Sequence, residues 1–236
     1  MALPKLNVPK YKLKLPSDGT VVNYRPFLVK EEKLLLMATE LGGQDEMVSA
    51  ISNIIESCTD VKNVKLLATF DIEYIFLNIR AKSVGERVNV NVTCPDDQET
   101  EVPVSILLDD IKVVKSRKHK REIKLDDSIV VTMKYPTLDD FVSMNFTDGT
   151  PDVDDMFDMA AKCIASIADS NQIYDCSDTP SEEIVQFFEE MNSKQFQLIQ
   201  TFFETMPKLS HTITVTNPET GVESDVVLEG LSAFFA

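Results

Sequence analysis

The sequence contains no Trp, only two His, four Cys and seven Gly in 236 residues. With so little glycine, 11 Pro and no short period, collagen-like and long low-complexity architectures are excluded. No apolar run approaches the ~20 residues that span a bilayer, so no membrane-spanning helix is expected. Cys58, Cys94, Cys163 and Cys176 follow no disulfide-framework spacing, which fits a reducing compartment. The first 16 residues alternate charge with proline and carry no apolar stretch, so no secretory signal is expected there. What remains is ordinary: 43% apolar and 26% charged residues are enough for a real core without disulfides or metals.

Positive charge is also scarce. The chain carries 23 Lys/Arg against 39 Asp/Glu, a net of −16. Residues 139–190 alone hold 14 Asp/Glu and a single base, Lys162. Such a body repels a phosphate backbone, so no nucleic-acid partner is expected. The exception is 112–121, KVVKSRKHKR, with six Lys/Arg and His119; it reads as a solvated strand–loop–strand segment. The acidic block either steers a basic partner or keeps the chain soluble.

Periodicity divides the chain into four segments, expected to form one or two compact domains. Residues 1–85 begin with a hairpin, in which Tyr11, Leu13 and Leu15 alternate with lysines before the turn Pro16-Ser17-Asp18-Gly19. Helices follow at about 28–41, 45–58 and 70–82. The last is apolar nearly all round and therefore expected to be central. Residues 86–136 switch to a period of two: Val88, Val90 and Val92 lead through Cys94-Pro95-Asp96-Asp97 into a return strand. Two more strands are expected near 111–115 and 128–135. Residues 137–207 read as helical, with a capping-box start at Thr137 and Asp140. The second of these helices places Met156, Phe157, Ala160, Ile164 and Ile167 on one face. Residues 208–236 form a second hairpin and an apolar tail. The fold class is thus α+β, mostly helical in its two halves, with short antiparallel hairpins in the middle and at the end.

Signatures of catalysis are missing: there is no GxGxxG, Walker loop, HExxH or GxSxG. His119 and His211 read as surface or strand histidines, and the Asp pairs as turn and cap residues. Residues 148–155 carry a calcium-like run of Asp, but the EF-hand positions are not met. Zinc knuckles need Cys-x-x-Cys on a tight turn. Here Asp97 stands where the second Cys would be, and Asn217-Pro218-Glu219-Thr220-Gly221 has the same shape with no Cys. No catalytic, cofactor-binding or metal-ligating residue is therefore assigned. Leu231, Phe234 and Phe235 recur at i, i+3 and i+4, and are assigned as partner-binding residues. Docking of this tail onto the chain's own core is the alternative.

Three stretches carry a family resemblance: Tyr24-Arg25-Pro26-Phe27-Leu28-Val29-Lys30-Glu31-Glu32-Lys33-Leu34-Leu35, then 70–86 from Phe70-Asp71-Ile72 to Val84-Gly85-Glu86, and Leu228-Glu229-Gly230-Leu231-Ser232-Ala233-Phe234-Phe235. Together they resemble the baseplate-hub assembly proteins of T-even-type contractile-tailed bacteriophages. Some relatives carry Cys pairs at one or both hairpins, which this chain lacks. The resemblance implies a non-enzymatic protein without cofactors. It implies assembly of the central hub by contact with other phage baseplate or hub proteins, in the host bacterial cytoplasm. A permanent place in the virion baseplate is the alternative. An enzyme with a Ser or Cys nucleophile and an acidic inhibitor also stay open.

Overall fold

The computed structural model describes residues 6–41, 44–142, 153–177 and 179–234. In chain order, the first elements are β1 (Tyr11–Lys14), β2 (Val21–Tyr24), α1 (Val29–Leu41), α2 (Gln44–Cys58) and α3 (Thr69–Val84). Strands β3 (Arg87–Thr93), β4 (Glu101–Leu107), β5 (Lys112–Val114), β6 (Glu122–Lys124) and β7 (Val130–Met133) follow. Then come α4 (Leu138–Val142), α5 (Val153–Lys162), β8 (Ile164–Ala168) and β9 (Ile173–Asp175). The last elements are α6 (Ser181–Glu189), α7 (Ser193–Thr205), β10 (Lys208–Thr216) and β11 (Glu223–Glu229). Short 3-10 turns occupy Val64–Leu66, Leu108–Asp110 and Leu231–Phe234. The class is α+β. Helix outweighs strand in the N-terminal half as expected, but the C-terminal half is mixed, because six of the eleven described strands lie beyond residue 120.

Two compact units emerge, and the first is assembled from three separate stretches: 1–64, 70–114 and 207–236. Its axis is α3. Phe70, Ile72, Ile75, Phe76, Leu77, Ile79 and Ala81 are all buried, as an apolar-all-round helix requires. The β3–β4 hairpin turns Val88, Val90 and Val92 inward, and Asn89, Asn91 and Thr93 outward. These valines share one core with Leu77, Ala81, Leu209, Ile213 and Val215. β5 pairs antiparallel with β10, not with its sequence neighbours, giving the sheet order β11-β10-β5.

The second unit comprises 65–69 and 115–206. Its sheet runs β6-β7-β8-β9, antiparallel throughout. Here the sequence reading of a single long helix is overturned. α5 stops at Lys162, and Ile164 and Ile167 lie in β8, the partner of β7 and β9. Ile164 is buried, and a β-branched residue at such a site packs at least as well in a strand as in a helix. Asp169 then turns the chain: its Oδ1 accepts from the N–H groups of Asn171 and Gln172 at 2.7 and 2.8 Å. Phe188, Ile199 and Phe202 from α6 and α7 cover Val131, Met133 and Ile164. The expected capping box at Thr137 is present, with Asp140 Oδ2 accepting from Thr137 N–H at 2.9 Å. Of the calcium-like run at 148–155, residues 148–152 lie outside the described residues and 153–155 begin α5.

His119 is not the surface residue its basic neighbourhood implied. It is buried between Tyr135 and Phe202, with ring centroids 5.6 and 5.0 Å away. Thr205 Oγ1 donates to the Thr201 carbonyl at 2.5 Å, so it can only accept from His119 Nδ1 at 3.1 Å. Nε2 is then the acceptor for Tyr135 O–H at 3.0 Å. Burial, with the charges of Lys115 and Arg121, pulls the imidazole below its usual range, so it is neutral at pH 7. A base with a depressed folded value binds its proton more readily when unfolded. Its contribution is full above about pH 6.5 and is lost as pH falls through the lower folded value. The urea-midpoint advantage of wild type over His119→Gln should therefore be full at pH 7 and shrink as pH falls below about 6.5.

Candidate interaction surface

The site grows from the start of α1. Pro26 stops β2, and the chain must turn into a helix whose first N–H groups lack partners. Glu31 supplies one acceptor: its Oε2 takes the Leu28 N–H at 2.8 Å. Its Oε1 receives Arg25 Nη2 at 2.9 Å and Lys30 Nζ at 3.2 Å. Arg25 also donates to the Pro26 and Ser57 carbonyls, both at 2.9 Å, tying this corner to the end of α2. Glu31 is only 2% exposed. Burial pushes its carboxyl up, but the hydrogen bonds from Arg25, Leu28 and Lys30 outweigh this and hold it below the usual range.

This corner fixes which side of α1 faces inward. Only Glu31 and Ala38 are buried, whereas Val29, Leu36 and Leu41 are 79%, 61% and 71% exposed. Leu34 and Met37 are exposed too. Leu34, Met37 and Leu41 follow i, i+3, i+7, and Val29 and Leu36 lie one helical face away. Lys33 and Glu40 lie between the two sets, so α1 shows two short exposed apolar stripes divided by charge, a pattern that suits a partner surface with both apolar and polar contacts.

All three family-like stretches meet at α3. The Phe27 N–H donates to Ser83 Oγ at 2.9 Å, joining the first stretch to the second. Asp71 accepts the Ser17 N–H at 3.1 Å, pinning the β1–β2 turn; burial raises its carboxyl despite that bond. Glu73 accepts the Leu231 N–H at 3.1 Å, joining the second stretch to the third; burial raises it as well. Gly230 makes this approach with φ +73°, a conformation that suits glycine. Leu231 and Ala233 pack on the chain's own core beside the β3–β4 hairpin. Of the three assigned partner-binding residues, Leu231 is thus half-buried internally. The Phe234 side chain and the whole of Phe235 lie outside the described residues.

The two knuckle-shaped hairpins, 120 residues apart, meet at their tips. Their turns share one hydrogen-bond plan: Gln98 N–H to Cys94 O at 2.9 Å, and Gly221 N–H to Asn217 O at 2.8 Å. Asn217 Nδ2 donates to Asp97 Oδ2 at 2.8 Å and to both Asp96 oxygens at 3.1 Å, and Thr220 Oγ1 donates to Asp96 at 2.6 Å. Thr100 foremost, then the Glu99 N–H and Asn217, hold Asp97 far below the usual carboxylate range; Thr220 and Asn217 lower Asp96. A zinc ion does not fit these residues, since Cys94 is the single thiol and the amide NH2 of Asn217 cannot ligate. Among the described residues, no three His, Cys, Asp or Glu are arranged to hold a metal. Asn217→Asp should lower the melting temperature by setting a third carboxylate against Asp96 and Asp97. Adding Asp96→Asn and Asp97→Asn should restore it; a melting curve indifferent to all three changes would remove this clasp from the account.

The family described as T4 bacteriophage base plate protein matches residues 8–236. The chain belongs to that family. No curated protein and no solved structure matches it. The match spans both units of this baseplate-family chain, including the acidic segment that carries no distinctive motif of its own. No helix among the described residues is long and apolar enough to cross a membrane. Sequence reasoning missed the Arg25–Glu31 pair, although a Glu three residues after Leu28 at a helix start was the available signal. It also missed the meeting of the hairpin tips, which their repeated Pro-containing turns hinted at.

Proposed function

We propose that this baseplate-family protein works by protein–protein contact, as an assembly factor for the central hub, and performs no catalysis. The exposed apolar residues of α1 carry this reading: no described residue of the first unit covers Val29, Leu36 or Leu41, and a partner surface would. The poverty of accessible nucleophiles agrees with it. All four Cys are buried, and burial pushes Cys58 up to about 11 and Cys163 up to about 12, where a thiolate is scarce at neutral pH. His119 is committed to Tyr135 and Thr205. The partners are other phage baseplate or hub proteins, met in the host bacterial cytoplasm, and Leu231, Phe234 and Phe235 add partner-binding residues to those of α1.

Leu36→Glu with Met37→Glu alters only exposed positions, so the variant should melt within a few degrees of wild type. It should nevertheless fail to support baseplate assembly in a complementation assay. Phe234→Ser with Phe235→Ser should do the same, whereas deleting 231–236 should also cost melting temperature, because Leu231 goes with it. A normal phage yield from both double variants would end this assignment. Mass spectrometry of purified virions against infected-cell lysate separates the two forms of the role. A transient factor is absent from the particle, and a permanent baseplate subunit is retained.

A further inference from the structure

In the first unit β5 is an edge strand: β10 takes one side, and no described strand takes the other. A cleft of about 310 Å3 opens there. Three consecutive residues, Ile111, Lys112 and Val113, line it. Adjacent side chains of a strand leave opposite faces, so a cleft that touches both Lys112 and Val113 of β5 borders the strand's edge and its backbone. The floor is α3, whose Tyr74, Leu77, Asn78 and Ala81 recur at i, i+3, i+4 and i+7 on one face. Lys14 and Pro16 of the first hairpin line it as well.

Three properties coincide: an open strand edge, a helical face that offers the half-buried Tyr74 ring beside polar Asn78, and two ammonium groups. Lys14 and Lys112 are exposed, and neither is in an ion pair with a described residue. Asp109 is the only acid lining the cleft. A strand edge recognises extended backbone of any sequence, and the pockets beside it choose the side chains. The Tyr74 ring favours an aromatic or other large apolar side chain stacked on it, and the lysines favour carboxylates beside it.

We propose that an extended segment of a partner chain joins β5 as a fourth strand, setting one large apolar side chain on the α3 floor and acidic residues against Lys14 and Lys112. This rests on the protein-contact reading above and names the chemistry of one partner.

The probe is a fluorescein-labelled peptide, Thr-Glu-Thr-Phe-Thr-Glu-Thr, whose Glu, Phe and Glu share one face of a strand. Its counterpart carries Lys in place of both Glu. The acidic peptide should bind the full chain at least tenfold more tightly than the basic one. Its binding should slow amide exchange at Lys112–Val114. Lys14→Glu with Lys112→Glu should invert the preference, and Lys12→Glu, on the same strand but outside the cleft, should leave it within twofold. Equal affinities for wild type, no binding of either peptide, or protection confined to other amides would each overturn the proposal. The exchange result needs no variant, so it decides even if the charge reversal disturbs folding. Failure here leaves the α1 variants and virion composition to judge the protein-contact reading separately.

Discussion

Arg25→Ala should destabilise the protein by about 3 kcal/mol, the low end of what an orphaned buried charge costs, because Lys30 still reaches Glu31. Glu31 would keep the Leu28 N–H but lose its closest cation, and the Pro26 and Ser57 carbonyls would lose a donor. Glu31→Gln keeps the shape and should cost less, about 1–2 kcal/mol. Replacing both residues with Met should recover part of the Arg25→Ala loss, since an apolar pair leaves no charge stranded. Urea unfolding of the four proteins checks this series. The pH profile gives an independent reading. Glu31 has a lowered value in the folded state, so its contribution is present above about pH 4.5 and is lost as pH falls through the folded value. The gap between wild type and Glu31→Gln should therefore close in acid. A double-Met protein no more stable than Arg25→Ala would show that the pair acts by some route other than charge compensation. Assembly should suffer alongside stability in Arg25→Ala, because this corner sets the direction in which α1 presents Leu36 and Leu41.

Phe202→Ala in the second unit should cost about 3–5 kcal/mol, the usual range for emptying a fully buried aromatic site. Phe202 touches His119, Tyr135 and Phe203, with ring centroids 5.0, 5.8 and 5.2 Å away, and sits over the sheet beside Val131 and Met133. Its removal strips the apolar cover that keeps His119 neutral, so the acid sensitivity assigned to His119 should weaken in the same variant. Phe203→Ala, at a half-buried position one residue along, should cost well under half as much. Chemical denaturation with a reduced midpoint and an unchanged slope is the expected signature. A Phe202→Ala loss below about 1 kcal/mol would mean that the aromatic group is loosely packed and does not hold α7 to the sheet.

Much of the first unit was legible in the chain. The valines at 88, 90 and 92 alternate with polar residues over a full strand length, and Cys94-Pro95-Asp96-Asp97 supplies the turn, so the hairpin follows from local pattern. The apolar-all-round helix at 70–82 declared itself central, and α3 is the axis on which the family-like stretches converge. Thr137 with Asp140 announced a helix start through a bond that spans three residues. Each of these signals acts within a turn or two, where side-chain chemistry and backbone preference decide together. The candidate surface was less legible. The assigned tail residues include Leu231, which packs at home, while the sequence marked α1 only as a helix and not as an exposed apolar one.

What sequence alone determined was therefore the α+β class, the first hairpin, α3, the two knuckle-shaped hairpins and the baseplate-family resemblance. Tertiary structure decided the rest. Ile164–Ala168 became a strand because β7 and β9 were there to pair with it, and a helical period cannot report a partner more than 30 residues away. β5 found β10 across 94 residues, and Asn217 found Asp96 and Asp97 across about 120. His119 went inside a basic run because Tyr135, Phe202 and Thr205 offered a ring stack and two hydrogen bonds. Contacts of that kind are fixed by which surfaces meet once the helices and hairpins exist, and burial then sets the charge state of the groups enclosed.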